Sequence, residues 1–436
     1  MRVVHIGNIA NNGYINTKLL RRAGIEADVI FDERHILSRP EWEDAPLPGA
    51  YAYYQPLDDE ARRAGWAPPE WARPARDLRT AGRFKGDLPL RALRRAVRHV
   101  APTYRRLAPL YAPLERELGA LTRLDVAKAL FVSAYFDLSV GPLAQLAGRY
   151  DAMQAYATHP VFPLLSTPRW PYVAFEHGTM REIPFEGTWR GRLLSLAYRQ
   201  ARKVIITNPD VIASARRLGL ENYVFIPHPL DEEKYRPGPS TLRAQLEAEG
   251  VDFVLLCPSR HDWQIKGTDR MLRAFAELVR TDRPNALLLL NEWGAEVERS
   301  RALIDELGIG RNVRWLQPLP KLRLIDAYRA ADVVLDQFLI GTFGAVAPEA
   351  MACGTPVVMA FDSELHRWCF SELPPVVDGR TPEQIYAALR RLAEDEDERE
   401  RLGRRGRAWI ERHHGWRLVV GRHVEIYEDV LDGKRR

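Results

Sequence analysis

Apolar residues along this chain gather in short runs, and between the runs they recur on one side of a helical turn. The first run, residues 2–7 (RVVHIG), ends in glycine; residues 16–24 have helical spacing, and residues 27–31 (ADVIF) form the next run. That is the opening of a β–α–β unit. The tract 38–125 breaks the rhythm, being rich in Pro, Trp, Tyr and Arg. Strand-like runs return at 150–157, 171–178, 203–208 and 222–229, with a helix predicted over 192–201. The polar stretch 230–240 (LDEEKYRPGPS) reads as a linker.

Beyond it the alternation restarts more cleanly. Residues 252–259 predict a strand, and Met271, Leu272, Phe275, Leu278 and Val279 mark the buried side of the helix after it. Strands are expected at 286–294, 313–319, 331–338 and 355–361, and helices near 296–307 and 321–330. Uninterrupted Val/Leu runs joined by helices describe parallel strands covered on both faces. The expectation is therefore α/β, with two doubly wound, Rossmann-like domains. In such sheets ligands sit beyond the carboxyl ends of the strands.

Composition sharpens this without changing it. A chain of 436 residues with 46% apolar content is long enough for two cores. Cys257, Cys353 and Cys369 have no paired spacing, so neither a disulfide framework nor a zinc ribbon is expected, and the start lacks a signal-peptide layout. No apolar run reaches the ~18 residues of a membrane span. A cytoplasmic setting follows as the expectation. The net charge of +5 is mild, and nucleic acid is not an expected partner. Its distribution is uneven: Arg73 to Arg106 holds eleven Arg or Lys against Asp77 and Asp87, interleaved with Leu88, Leu90, Leu93, Val97 and Val100. Such a basic amphipathic stretch suits an anionic membrane surface on the inner face, or is simply a solvated Arg-rich face.

The candidate chemistry lies at predicted strand ends. Ser259, Arg260 and Lys266 follow the first strand of the second half, and Gly267 lets the backbone turn into the helix. A guanidinium fork beside an ammonium suits two adjacent phosphates. Residues 341–356 (GTFGAVAPEAMACGTP) place Gly341, Thr342, Phe343 and Gly344 before a helix read as opened by Pro348, a second anion-binding element. Glu349, in its first turn, can accept hydrogen bonds from a vicinal diol such as a ribose.

These stretches, with NEWG (291–294), AADVVLDQF (330–338), IPHPLDEEKYRP (226–237) and FEHG (175–178), resemble the retaining glycosyltransferases of family 4, also called glycosyl transferases group 1. The resemblance implies the GT-B fold, two Rossmann-like domains facing a central cleft. Residues 1–229 would form the acceptor-side domain, with an irregular insertion at about 38–125. Residues 241–415 would bind the nucleotide sugar, and 416–436 would be a helix crossing back to the first domain. It also implies metal-independent transfer of a sugar, without cofactor, from a nucleotide diphosphate sugar to a glycan or lipid-linked acceptor. Arg260 and Lys266 would hold the diphosphate and His177 would lie near the reacting sugar. Ser259, Gly267, Asp336, Thr342, Phe343, Gly344 and Glu349 would line the donor pocket, with Gly7, Asn12 and Gly13 contributing from the first loop.

Two positions depart from the family's pattern. Gly341 stands where the family usually carries a Glu that contacts sugar hydroxyls; the expected result is room and a missing charge, with an altered sugar preference. Asn291 stands where a glycine is usual, with little effect expected. Gly341 leaves open a protein that binds a sugar nucleotide or glycan without transferring it. An epimerase or hydrolase of the same fold is a third reading.

Overall fold

The computed structural model describes residues 1–31, 35–49, 51–76, 88–133, 143, 146, 148–166, 170–342 and 344–435. Two parallel sheets organise it, and both arise from the Val/Leu runs. The first joins β1 (Arg2–Ile6), β2 (Glu26–Phe31), β3 (Ala72–Pro74), β4 (Ala152–Tyr156), β5 (Tyr172–Phe175), β6 (Lys203–Ile206) and β7 (Tyr223–Phe225), in the order β3-β2-β1-β4-β5-β6-β7. The second joins β8 (Phe253–Cys257), β9 (Ala286–Asn291), β10 (Val313–Leu316), β11 (Val333–Leu335), β12 (Val357–Met359) and β13 (Val377–Asp378), in the order β10-β9-β8-β11-β12-β13. Strand order reverses between β1 and β4 in one sheet and between β8 and β11 in the other. Each reversal opens a crevice at the carboxyl ends, because the connections leave toward opposite faces.

All five predicted apolar positions of the helix Thr268–Thr281 are buried. They share a core with β8, β9 and the helix Pro382–Glu394, which adds Ile385, Leu389 and Leu392. Each fully buried Leu or Phe there contributes about 1.5–3 kcal/mol. Gly267, at φ +66°, starts the Thr268–Thr281 helix from a left-handed turn, as its place after Lys266 suggests.

The division of the chain differs from the sequence reading. One compact unit contains Met1–Pro40, Ala67–Pro227 and Val419–Arg436; the other contains Glu41–Trp66 and His228–Leu418. Glu41–Trp66, expected within the first domain, packs in the second unit for two reasons. Trp42, Leu47, Leu57 and Ala61 bury their side chains. Lys234 Nζ, itself enclosed, reaches Glu43 Oε1 at 2.5 Å and Asp44 Oδ1 at 3.2 Å. The expected linker is likewise packed: Tyr235 is buried, and Glu232 accepts from the Trp416 backbone N–H at 2.8 Å.

The last helix, Trp416–Arg435, belongs to the first unit from Val419 onward. A buried polar cluster ties it to the sheet. Tyr427 Oη donates to Gln154 Oε1 (2.8 Å) and lies 3.2 Å from His5 Nε2. Gln154 Nε2 and Asn16 Nδ2 donate to Tyr156 Oη (2.7 and 3.0 Å), which lies 2.8 Å from His5 Nδ1. Burial, reinforced by His423, lowers the His5 pKa to about 3, and burial lowers His423 to about 4. Both imidazoles are neutral at pH 7.

The basic tract is helical over Leu88–Tyr111, with Pro102 and Pro109 inside the helix. The arginines at its two ends bond within the protein. Arg73 donates to Asp28 (2.9 Å) and Tyr150 (2.8 Å), and Arg106 donates to the Leu164 carbonyl. The side chains from 77 to 97 lie outside the described residues.

Candidate functional site

In the second unit the crevice falls between β8 and β11, and the residues leaving those strands meet across it. Ser259 Oγ donates to Asp336 Oδ1 at 2.8 Å. Lys266 Nζ lies 3.8 Å from the same oxygen, and Asp336 Oδ2 is buried without a partner. The Lys266 loop is fixed to the β11 side by backbone: Phe338 N–H donates to the Lys266 carbonyl at 2.7 Å. Gly267 is needed there, since a Cβ would come within 3.2 Å of Phe338 Cβ and Leu339 Cγ. Arg260 is more exposed, with Nη2 3.2 Å from Asp262 Oδ2. The site thus offers two cations, one hydroxyl and one buried carboxylate at the strand-order reversal.

Around it stand His261 and Gln337, which the sequence did not single out, and Asn291, which it did. His261 is buried, with Nδ1 2.9 Å from Ser300 Oγ, and burial lowers its pKa to about 4. Gly294, at φ +115°, presses on its backbone; a Cβ would lie 2.5 Å from His261 N. Asn291 Nδ2 donates to the Pro258 carbonyl at 2.9 Å, so this departure is a brace for the Ser259 loop. Gln337, also buried, holds the following turn by donating to the Thr342 carbonyl and accepting from Ile340 N–H at 3.0 Å.

Glu349 is not an unengaged carboxylate. Its Oε1 accepts from Lys321 Nζ at 2.5 Å and its Oε2 from Tyr328 Oη at 2.9 Å. Burial, then the charges of Glu349 and Asp336, push the Tyr328 phenol well above its ordinary range, so it stays a donor. A carboxylate has about four lone-pair directions, and these two partners use one on each oxygen. The helix carrying Glu349, Val346–Ala352, starts two residues before Pro348 and is only seven residues long. Pro348 does not open it, and the expected anion site at its N-terminus loses that support. Thr342 is buried and Gly344 borders open space, while Phe343 lies outside the described residues.

Gly341 also differs from expectation. Its φ is +79°, a Cβ would lie 3.0 Å from Asp362 Cβ, and its carbonyl accepts from Asp362 N–H at 2.8 Å. The space is taken by Asp362, so the glycine serves a turn and a close approach and leaves no vacant room.

The first unit has its own crevice, between β1 and β4. The positive-φ residues other than glycine, among the described residues, are Ala10 (48°), Asn11 (59°) and Ala157 (54°), all at this edge. Backbone strain of this kind gathers at functional sites. A side-chain mesh over-determines the loop: Asn8 Nδ2 donates to Asn11 Oδ1 (2.8 Å) and to the Ser38 carbonyl (2.7 Å), and Asn8 Oδ1 accepts from Tyr14 N–H (2.7 Å). Gly7 faces His159, whose Nδ1 would be 2.6 Å from a Cβ. His159 had no sequence signal. Gly13 is tightly packed: a Cβ would strike the Gly7 carbonyl at 2.3 Å.

His177 follows β5, with Nδ1 3.3 Å from Asn12 Nδ2. Burial, then Arg181, lowers its pKa to about 4, so the ring is neutral at pH 7. Asn12 Nδ2 also donates to the Ile9 carbonyl at 2.9 Å, which fixes the amide as donor to His177 and places the imidazole proton on Nε2. Its neighbour Glu176 is enclosed, with a pKa raised to about 7 by burial and one oxygen unpartnered.

Comparison with known proteins agrees with this geometry. Residues 240–409 match the family described as glycosyl transferases group 1. A D-inositol 3-phosphate glycosyltransferase of Catenulispora acidiphila is 35% identical over 219 residues, covering 48% of this chain and 52% of that protein. The chain spans about half the length of the curated relatives it matches. Sucrose-phosphate synthase from Thermosynechococcus elongatus superposes with a TM-score of 0.64 at 18% identity, covering 99% of this chain and all (100%) of that one. The Anabaena protein HepE, solved with UDP and glucose, gives 0.65 at 17% identity, covering 98% and 100%. Residues 240–409 are thus similar to the glycosyl transferases group 1 family, and the chain that carries them has the GT-B fold.

Proposed function

We propose that this chain transfers a sugar from a nucleotide diphosphate sugar to an acceptor hydroxyl, retaining the anomeric configuration and using no metal. The meeting of Ser259, Lys266 and Asp336 at the β8/β11 reversal carries the reading. Lys266 and Arg260 bind the diphosphate and stabilise the charge that grows on it as the bond from the anomeric carbon to the phosphate oxygen breaks. The acceptor oxygen bonds to that carbon on the face the phosphate leaves, and its proton passes to the departing phosphate. Glu349 binds the ribose through the lone pairs that Lys321 and Tyr328 leave, and Ser259 and Asp336 adjoin the donor sugar. Neutral His177, proton on Nε2, donates to a hydroxyl of the transferred sugar. UDP and glucose bound to HepE, and the relatives named as D-inositol 3-phosphate glycosyltransferases, support this donor and acceptor chemistry. The acceptor is a glycan or a lipid-linked acceptor reached from the cytoplasm, at an anionic membrane surface where the basic tract takes part.

The test is release of nucleoside diphosphate by the purified chain with a panel of sugar nucleotides, with and without acceptor alcohols. Acceptor-dependent release, unchanged by EDTA, with the donor's anomeric coupling kept in the product's NMR spectrum, is expected. Release without acceptor indicates a hydrolase, interconversion of the donor an epimerase, and binding without turnover a non-catalytic protein; each overturns the transferase reading.

A further inference from the structure

The amino ends of β5, β6 and β7, the edge of the first sheet opposite Gly7 and His177, border a cavity of about 990 Å³. The end of the helix Leu88–Tyr111 forms one wall, and the segments leading into the three strands form the others. Arg106, Arg199 and Arg202 all line it. Arg106 donates through Nη2 to the carbonyls of Leu164 and Leu165, the latter at 3.4 Å, and Arg199 Nη1 donates to the Leu218 carbonyl at 2.9 Å. A guanidinium has five N–H donors in a fixed fork, so most of this capacity is left. Among the described residues none of the three is ion-paired with a carboxylate. A partly desolvated cation without a counter-ion is unfavourable, and burial accordingly holds Arg106 below its ordinary value. Beside Gln200 and Asn222 the wall carries apolar side chains: Leu107 and Leu164 are buried, and Leu110 stays 38% exposed. Trp170, also on the wall, has a buried indole N–H with no partner.

We propose that this cavity is a second binding site, for an anion with an apolar body: a phosphate ester whose head sits among Arg106, Arg199 and Arg202 and whose alkyl or ring portion lies against Leu107, Leu110 and Trp170. Three arginines supply the charge, and their forks match phosphate oxygens in pairs. The one acidic lining residue, Glu221, leaves the cavity net positive. The site is separate from the transfer site and does not depend on it.

Calorimetry on the full chain tests it with octyl phosphate, octanol and inorganic phosphate. Octyl phosphate should bind at least tenfold more tightly than either half alone. Arg202→Glu, at an exposed side chain, should weaken it at least tenfold, and Glu221→Gln should tighten it several-fold. Nucleoside diphosphate binding should be the same in all three proteins, which reports an intact fold. Arg106→Gln also removes bonds to the wall, so Arg202→Glu is the deciding variant. Vesicles with and without anionic phospholipid identify the source. Wild-type binding to anionic vesicles that Arg202→Glu loses assigns the head to a membrane lipid; octyl phosphate binding without vesicle binding assigns it to a soluble ester. Equal affinity for octyl phosphate and octanol, or no change in Arg202→Glu, overturns the proposal.

Discussion

Replacing Gly341 by alanine should cost the second unit a measurable part of its stability, although alanine adds one methyl group. The residue sits at φ +79°, where a side chain carries about 1–2 kcal/mol of backbone strain. Its Cβ would also lie 3.0 Å from Asp362 Cβ and 3.4 Å from Asp362 N, a backbone neighbour that cannot simply rotate away. Overpacking of this kind costs about 1–3 kcal/mol. The two together predict about 2–5 kcal/mol for Gly341→Ala. Gly341→Asn should cost less, because asparagine tolerates the left-handed region, and Gly341→Val should cost more. Urea unfolding reads this as a lower midpoint at unchanged slope. The alanine variant is also the control that a functional test needs: Gly341→Glu has the same strain, so only its difference from Gly341→Ala reports the added carboxylate on a panel of sugar donors. Gly341→Ala within about 0.5 kcal/mol of the parent, the range of ordinary surface changes, would refute the close approach.

Lys266→Ala should lower turnover by 10²-fold or more, in the range of a lost transition-state donor, while Arg260→Ala, at a more exposed cation, should lower it less; unchanged turnover in both removes the diphosphate assignment. Lys321→Met should destabilise the chain toward the low end of the ~3–5 kcal/mol expected for breaking a buried pair, because the lysine side chain is 19% exposed. Glu349→Gln should weaken nucleoside diphosphate binding by about 1–3 kcal/mol, read by calorimetry; equal affinity would release Glu349 from the ribose. Acid should unfold the protein steeply. His5, His177, His261, His414 and His423 have folded pKa values of about 3 to 4, so the unfolded chain binds more protons below pH 6.5 and stability falls as pH drops from there toward 4. Glu176, raised to about 7, acts in the opposite sense, since the folded state keeps its proton and loses that stability as pH rises through 7. The net uptake on unfolding at pH 5 should be about three to four protons, measured from the slope of unfolding free energy against pH; a flat profile from pH 6.5 to 4.5 would contradict the buried neutral histidines.

What could be read from the sequence was local in origin. The Val/Leu runs of β8, β9 and β11 and the spacing of Met271, Leu272, Phe275, Leu278 and Val279 show directly in neighbouring residues, and the rule for strand ends then brings Ser259, Lys266 and Asp336 to one crevice. The contacts of Glu349 were not legible: Lys321 and Tyr328 lie 28 and 21 residues away, on a helix whose own pattern says only that one side is buried. Nor was the allegiance of Glu41–Trp66, which rests on Lys234, 191 residues from Glu43. Gly341 misled because a glycine in a motif records a missing side chain, whereas its φ and the approach of Asp362 record why none fits. His159 and His261 are lone residues without periodicity, and only the fold places them.

The cluster of His5, Gln154, Tyr156 and Tyr427 has a consequence for synthesis on the ribosome. His5 is made 422 residues before Tyr427, so β1 and β4 emerge with buried-type polar groups that stay unmatched until the helix Trp416–Arg435 arrives. At about 5–20 residues per second, the interval between Pro227 and the last helix is on the order of ten to forty seconds. During that time the nascent first unit exposes the face later covered by Val419–Arg436, while Glu41–Trp66 awaits a second unit not yet made. That interval is an aggregation-prone one, and the burial of Tyr427 marks its end.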